Sequence, residues 1–584
     1  MGGCINLAET NQDLRQSFLT AKHIFQHVKR GRVKFVFIGL TPYSLHYDNR
    51  KDFSACTHDL QYALTLNTAA EDEHGKILRP LISNQAKNAL VNASVNPDLN
   101  FDALRPPLNF DMPAKSVANW QGDLQHLTKT FDTATVAENL EILKSYIKLC
   151  RDNGAKPVGV MFPFAPAIKE RCDSEILALF RMLISQLEEN HGLTFIDLFD
   201  LKLEQAHFSG IDTLNRQGAL FANSMLKFRL FEKKLLSFEN ICAMKYESFD
   251  ALAYLLPKET YNELLDRVLD KTVKQLRHKK KIKVGFLAEN AANWCGDKLY
   301  NYFAENKRFE PTVFIVMRAD DRNEEIEEEF RRGTKQLQER GLNVVALEGR
   351  DAEMPTQDIM FFLKPYLGSF PINAVQFFTL TPQTLITYIP YGFNTSENDT
   401  FNQPTIHVAW KLFLESLQNL RLFEQKCIIG APRALYSGYP RLDVMFEEKL
   451  TFDWKMTRPD AKKIIWAPHW SMGGRGINYA TFQWNFKFMY EFAKAHPEIS
   501  WVVKPHPKLP FTAVSTGLFP SVEAYREYIQ KWNDLPNAKV YLGAYYHAVF
   551  ATSDGMIRQC QIFCVFELLD GVVARFLSAI TQNL

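Results

Sequence analysis

Ile464-Ile465-Trp466-Ala467-Pro468-His469-Trp470 and Trp501-Val502-Val503-Lys504-Pro505-His506-Pro507 decide how this chain is read. Each is an unbroken apolar run that stops abruptly at a proline beside a histidine. Continuous rather than alternating apolar character is what a strand buried on both faces of a parallel sheet requires. Ser437-Gly438-Tyr439-Pro440-Arg441-Leu442-Asp443 precedes the pair, and Ala551-Thr552-Ser553-Asp554 follows it as a third expected strand end. Ligands of open parallel sheets bind just beyond the carboxyl ends of the strands. Lys504, His506, Ser553 and Asp554 are therefore expected around one crevice, with groups suited to a phosphorylated ligand.

Working toward the N-terminus, Lys283–Leu287, Thr312–Met317 and Leu342–Leu347 repeat the strand pattern. The acidic block Asp320–Phe330 between two of them reads as the exposed face of a helix. Earlier still, Lys34–Leu40 (KFVFIGL), Lys156–Pro163 and Leu193–Leu198 read as buried strands, alternating with amphipathic stretches at Val136–Asp152 and Ser174–Asn190. Alternation of this kind predicts an α/β protein with parallel sheets covered on both faces. Four segments are expected: an α/β domain over 1–235, a helical linker over 236–280, and two Rossmann-like halves over 281–455 and 456–584. The stretch from about 60 to 130 reads as a long loop or small insertion. The basic run Arg277-His278-Lys279-Lys280-Lys281 reads first as a solvated helix end and second as a lipid-binding patch.

A chain of 584 residues exceeds what one core supports, so several domains are required. A net charge of +2 argues against wholesale nucleic-acid binding, and 45 phenylalanines argue for thick cores. The nine cysteines are scattered, without zinc spacing, which suits a reduced, cytoplasmic protein. Phe370–Phe393 comes nearest to a membrane span but carries Gln, Thr and Pro, so any membrane contact is expected to be peripheral. The N-terminal residues have neither the basic start nor the apolar core of a signal peptide. Asn6 stands where a myristoylation signal wants Ser or Thr.

Taken in order, Gly438–Asp443 resembles the G-x-P-R-x-D element of the CDP-glycerol glycerophosphotransferase family, which includes the teichoic-acid primases and polymerases. Ile464–Trp470 resembles that family's I-x-x-A-P-T-W strand with His469 in place of Thr, Val503–Pro507 its H-P strand, and Ser553-Asp554 its S-D strand end. The resemblance covers roughly residues 281–557. It implies a GT-B fold that moves a polyol phosphate, glycerol phosphate first, from a CDP-linked donor to a hydroxyl of a cell-surface glycan or teichoic-type polymer. It implies no cofactor and a bacterial protein of cell-wall or capsule synthesis working in the cytoplasm or on the inner face of the membrane; no metal is expected, because no carboxylate pair stands out at the expected crevice.

That chemistry needs cationic or hydrogen-bonding groups on the pyrophosphate and a base near the acceptor hydroxyl. By resemblance, His506 is a catalytic candidate and Arg441, His469, Lys504, Ser553 and Asp554 the donor-binding ones; His407 is a catalytic candidate as the histidine nearest the strand end without the family's His-Gly, and Asn290 and Trp294, after the first strand of this half, would instead line the acceptor site. Structural readings stand beside these: Arg441 and Asp443 as a hinge ion pair, His506 as a strand-end cap, and Gly473-Gly474-Arg475-Gly476 as a turn or a phosphate-cradling loop. Two departures matter. The strand end Tyr388-Ile389-Pro390-Tyr391-Gly392-Phe393 lacks the family's His-Gly pair. After Ile557 the chain reads Arg558-Gln559-Cys560-Gln561 where the family has an acidic residue and helix-starting hydroxyls. The C-terminal half is therefore expected to be incomplete.

The first domain resembles an SGNH-type hydrolase through Gly39–Ser44 and Phe208–Gly218. Cys4 would hold the nucleophile position and Leu214-Asn215 match the closing element, while Thr213 stands where the histidine belongs. A threonine is no general base, so a non-catalytic scaffold is expected. Two other readings stay open: an esterase or O-acyl-modifying enzyme acting through residues 1–235, and an inactive fragment that binds nucleotide or a biosynthetic partner.

Overall fold

The computed structural model describes residues 13–46, 133–210, 213–288, 291, 294–316, 324–348, 354–367, 380–392, 400–440, 450–473, 478, 480–542 and 547–558. The chain separates into two units, one of residues 1–244 with 254–256 and one of 245–253 with 257–584.

The first unit carries three parallel strands in spatial order β1 (Phe35–Gly39), β2 (Lys156–Met161) and β3 (Thr194–Asp197). Helices Leu14–His27, Thr133–Asp152 and Ser174–His191 contribute to its core, with Leu143, Ile147, Phe180 and Ile184 buried beside Ile38 and Phe195. Helix starts follow local chemistry. Asp13 and Gln16 form a reciprocal capping box, and Asp173 accepts from the amides of Glu175 and Ile176. Gly159 sits in β2 where an added Cβ would lie 2.9 Å from Leu40 Cδ1 and 3.0 Å from Phe195 Cδ2. Gly159→Ala is expected to destabilise this unit by about 1–3 kcal/mol through overpacking. Urea unfolding checks this, and an unchanged midpoint would contradict the packing.

The second unit holds two sheets. Seven parallel strands, β4 (Ile282–Ala288), β5 (Phe309–Val316), β6 (Val344–Leu347), β7 (Ile359–Phe362), β8 (Leu385–Tyr388), β9 (Lys411–Leu414) and β10 (Ala434–Tyr436), lie in the order β10-β9-β8-β7-β4-β5-β6. Sequence order reverses between β4 and β7, which makes this a doubly wound sheet with its switch point there. Helices Tyr246–Leu255 and Lys258–Arg277, within the segment expected as a linker, are built into this sheet's surroundings. Tyr246 Oη donates to Thr384 O at 2.6 Å, Tyr261 Oη to His407 O at 2.9 Å, and Thr272 Oγ1 to Pro382 O at 2.7 Å. A buried stripe of Tyr261, Leu264, Leu265, Val268, Leu269 and Val273 explains why the longer helix packs rather than spans.

The second sheet contains β11 (Lys462–Ala467), β12 (Ile499–Val503), β13 (Ala538–Val540) and β14 (Gly555–Arg558), parallel in the order β13-β12-β11-β14. Its order reverses between β11 and β14. Trp466, Trp501 and Val503 face one core with Phe482 and Trp532, while Ile465 and Val502 face another with Trp454 and Val549. Burial on both faces is the reason these strands read as unbroken apolar runs. Two Rossmann-like parallel sheets in one unit are the architecture expected of a GT-B fold.

One strand was misread. Ser553 and Asp554 lie before β14, not after it. Asp554 donates its amide to Lys463 O and accepts from the Lys463 amide, both at 2.8 Å, at the amino end of β11. They occupy the opposite edge of the sheet from Lys504 and His506. A short polar Ser-Asp pair next to apolar residues has the same composition whether it ends a strand or starts one.

Candidate functional site

Beyond β11 and β12 the ladder continues for a few residues. Lys504 N–H donates to Trp466 O at 2.8 Å, and His506 N–H donates to Pro468 O at 3.0 Å. These bonds hold the two post-strand segments side by side at the carboxyl edge, next to the switch point at β11. The His469 and His506 rings stand 5.1 Å apart at 67°, Trp470 lies 6.1 Å from His506, and Lys508 Nζ sits 5.3 Å over the Trp470 ring. Pro505 and Pro507 restrict the residues before them, Lys504 and His506, to extended or turn backbone.

Backbone and hydroxyl donors settle which imidazole nitrogen carries the proton. His506 Nδ1 accepts the Lys508 amide at 3.0 Å. His469 Nδ1 accepts the Ser471 amide at 3.2 Å and lies 2.8 Å from Ser471 Oγ. An occupied Nδ1 leaves Nε2–H as the donor when the ring is neutral. Burial first, then the positive charges of His469, Lys508, Lys504 and Lys364, pushes the His506 imidazolium down to about 3. His506 is thus a neutral hydrogen-bond donor at physiological pH, set among cations.

Lys364 belongs to the other sheet. It follows β7 immediately after Leu363, beside the switch point of the seven-stranded sheet. Its Nζ lies 5.0 Å from the Tyr391 ring, and Tyr439 Oη donates to Tyr391 O at 2.6 Å. Burial, then the Lys508 charge, pushes the Lys364 ammonium down to about 8. The carboxyl edges of the two sheets therefore bring their cations within electrostatic reach of each other. The arrangement suits an anion carrying more than one charge.

His469, Lys504 and His506 come together as the sequence implied, and Ser553 and Asp554 do not. His407 is corrected as a catalytic candidate. Its side chain is 0% exposed, Nδ1 lies 2.6 Å from Asp250 Oδ1, and Nε2 lies 3.5 Å from Asn402 Oδ1. Its carbonyl also accepts from Tyr261 and Arg433, so the residue ties helices to the sheet. Trp294 is corrected as an acceptor-site residue: it is 2% exposed, edge-on to Phe286, with Nε1 donating to Asp297 Oδ1 at 2.9 Å. Arg441, Asp443, Asn290, Cys4 and Gly474–Gly476 lie outside the described residues. Asn215 caps helix Arg216–Glu232, accepting from the Gly218 amide and donating to Ala206 O at 2.6 Å. Thr213 is exposed, its carbonyl taking the Ser209 and Gly210 amides.

Sequence reasoning missed Lys364, Lys508 and Tyr391 as site residues. A signal for Lys364 was present: Phe361-Phe362-Leu363-Lys364-Pro365 ends in the same Lys-Pro step as Val502-Val503-Lys504-Pro505. Elsewhere, a shallow hollow of about 410 Å³ lined by Gln275, His278, Lys279 and Asp358 opens at the amino edge of the seven-stranded sheet. Lys279 Nζ already bonds both Asp358 oxygens at 2.7 Å, so that hollow offers little to a charged ligand. Among the described residues, no cluster of three His, Cys, Asp or Glu is placed to hold a metal. No helix there is long and apolar enough to cross a membrane.

No protein-family model and no curated protein matches the chain. Solved structures match it weakly. UDP-GlcNAc 2-epimerase from Neisseria meningitidis, bound to UDP-GlcNAc, matches at 11% identity and TM-score 0.29, over 48% of this chain and 77% of its own. A variant of the wall teichoic acid polymerase TagF matches at 13% identity and TM-score 0.28, over 57% and 74%. HepE from Anabaena, in complex with UDP and glucose, matches at 10% and 0.27, over 47% and 73%. At these TM-scores the likeness adds nothing to what strand order displays directly. The SGNH likeness of the first unit gains no support from these structures.

Proposed function

We propose that this chain transfers a polyol phosphate, glycerol phosphate first, from a CDP-activated donor to a hydroxyl of a cell-surface glycan or teichoic-type polymer. The observation that carries the reading is the grouping of His469, Lys504, His506 and Lys508 at the carboxyl edge of β11 and β12. The neutral His506 N–H, the His469 imidazole and the lysine ammonium groups would hold the donor's two phosphates and stabilise the charge that develops as the bond to the leaving nucleotide lengthens. The acceptor oxygen bonds the phosphorus that carries the polyol, the bridging P–O bond breaks, and CMP leaves with that electron pair. The hydroxyl proton passes to a base on the acceptor side. Such acceptors grow at the cytoplasmic face of the membrane, where peripheral contact of the chain would serve.

Incubation of the full chain with CDP-glycerol and a glycan acceptor tests this, with release of CMP as the expected outcome. Absence of any nucleotide binding would sink the reading. The burial of His407 favours a second reading, nucleotide binding without transfer, because it removes the acceptor-side base expected from the sequence. Tight CDP binding with no CMP released would select that one.

A further inference from the structure

We infer that Tyr391 anchors the acceptor: its phenol bonds the hydroxyl next to the one that attacks phosphorus, so the acceptor end this chain takes is a vicinal diol of a polyol or sugar. The inference rests on the transfer reading above. Position supports it first. Past the strand ends the β7–β8 ladder runs on, with Ile389 N–H donating to Phe362 O and Tyr391 N–H to Leu363 O, both at 3.1 Å. Cys295, beyond β4, donates its Sγ–H to Pro390 O at 3.5 Å. Tyr391 therefore stands at the carboxyl edge where β4 and β7 border the sheet's reversal, and doubly wound sheets take ligands there. The donor reading fills the carboxyl edge of the four-stranded sheet, and a transfer between two substrates needs a second site.

Preorganisation supports it second. The Tyr391 carbonyl accepts from Tyr439 Oη at 2.6 Å, so both backbone groups of Tyr391 are engaged. Lys364 Nζ lies 5.0 Å from the centre of its half-buried ring and covers one face. Tyr366 Oη lies 2.9 Å from Thr400 Oγ1, and Tyr439 Oη is taken by Tyr391 itself. The Tyr391 hydroxyl bonds none of the described residues and is not sealed in the core. Burial, then the neighbouring Tyr366, raises this phenol, so it stays protonated and able to donate. Among the described residues nothing lies within 4 Å of where a Cβ on Gly392 would sit, which leaves room beside the ring for a ligand's carbon skeleton. A phenol bonded to the attacking oxygen would occupy the lone pair that must reach phosphorus. Bonded to the neighbouring hydroxyl, it fixes the diol and leaves that lone pair free. No bond forms or breaks at Tyr391, and its proton stays in place.

Transfer by the full chain from CDP-glycerol to glycerol phosphate and to methyl glucoside, each run beside an analogue lacking one hydroxyl of the diol, tests the inference in wild type and Tyr391→Phe. The better acceptor identifies whether polyol or sugar supplies the diol. Phenylalanine keeps the ring, the lysine contact and both backbone bonds, and removes only the hydroxyl. Wild type is expected to prefer the diol over its analogue by about tenfold in kcat/KM, because the analogue leaves the phenol without its partner. Tyr391→Phe is expected to raise KM for the diol by about three- to tenfold and to erase the preference, with KM for CDP-glycerol, Kd for CDP and Tm unchanged. A preference that survives in Tyr391→Phe overturns the anchor and leaves the transfer reading standing. A lowered Tm with KM raised for donor and acceptor alike also overturns it, since the hydroxyl then serves the fold. Wild type that binds CDP and transfers to neither acceptor overturns the anchor alone, and wild type that binds no CDP overturns the donor reading with it.

Discussion

His506→Ala is expected to lower transfer by about 100- to 1,000-fold, the usual loss on removing one preorganised donor aimed at developing charge. The substitution deletes the Nε2–H donor and the Nδ1 acceptor of the Lys508 amide together. His506→Gln separates these roles by offering a donor without an imidazole, and part of the binding should return. A second readout follows from the depressed imidazole. The unfolded chain protonates His506 near its ordinary 6.5, whereas the folded chain does so only near 3. Stability from this group is full above 6.5 and is lost as pH falls toward 3, because the unfolded state takes up the proton first. Between pH 7 and pH 4.5 the wild type should lose about 2 kcal/mol that His506→Gln keeps, after allowing for partial exposure. Urea midpoints at the two pH values measure it. Identical pH profiles for wild type and variant would mean that the ring is not held neutral by its surroundings.

His407→Leu is expected to act on the fold and not on chemistry. The imidazole is wholly buried against Asp250, whose side chain is 19% exposed. Leucine has the bulk to fill the space but leaves the carboxylate without its imidazole. Removing one partner of this hydrogen bond and leaving the carboxylate oxygen without it costs about 1–3 kcal/mol, enough to lower the Tm by a few degrees. The neighbouring Arg433, 7% exposed, bonds Ala409 O at 2.8 Å and Asp266 at 3.0 Å, so the loss should spread to the helix–sheet contact. Nucleotide affinity per folded molecule should stay unchanged. A variant of normal Tm with transfer abolished would return His407 to the catalytic role its sequence context suggested.

Legibility in the sequence followed the range of the interaction. Strands β1, β2, β3, β4, β5, β6, β11 and β12 were readable, because parallel strands carry a continuous apolar run that local composition records, even where, as in β1 and β6, burial is only partial. β7 was not singled out, although Phe361-Phe362-Leu363-Lys364-Pro365 has the form of Val502-Val503-Lys504-Pro505. The pairing of His469 with Lys504 and His506 was also legible, since each follows its strand directly and parallel neighbours share an edge. His407 and Trp294 defeated the reading for one reason. A histidine or tryptophan near a strand end has the same local appearance in a cleft or a core, and only burial against Asp250 or Phe286 distinguishes them.

What the sequence by itself determined is an α/β chain of parallel sheets and the edge at which β11 and β12 present His469, Lys504 and His506, because strand periodicity and chain direction are local properties. Tertiary structure alone decided that Ser553-Asp554 precedes a strand and that Lys364, just after β7, comes within electrostatic reach of Lys508. Those facts depend on strand order and on long-range approach of like charges, and no window of neighbouring residues encodes either.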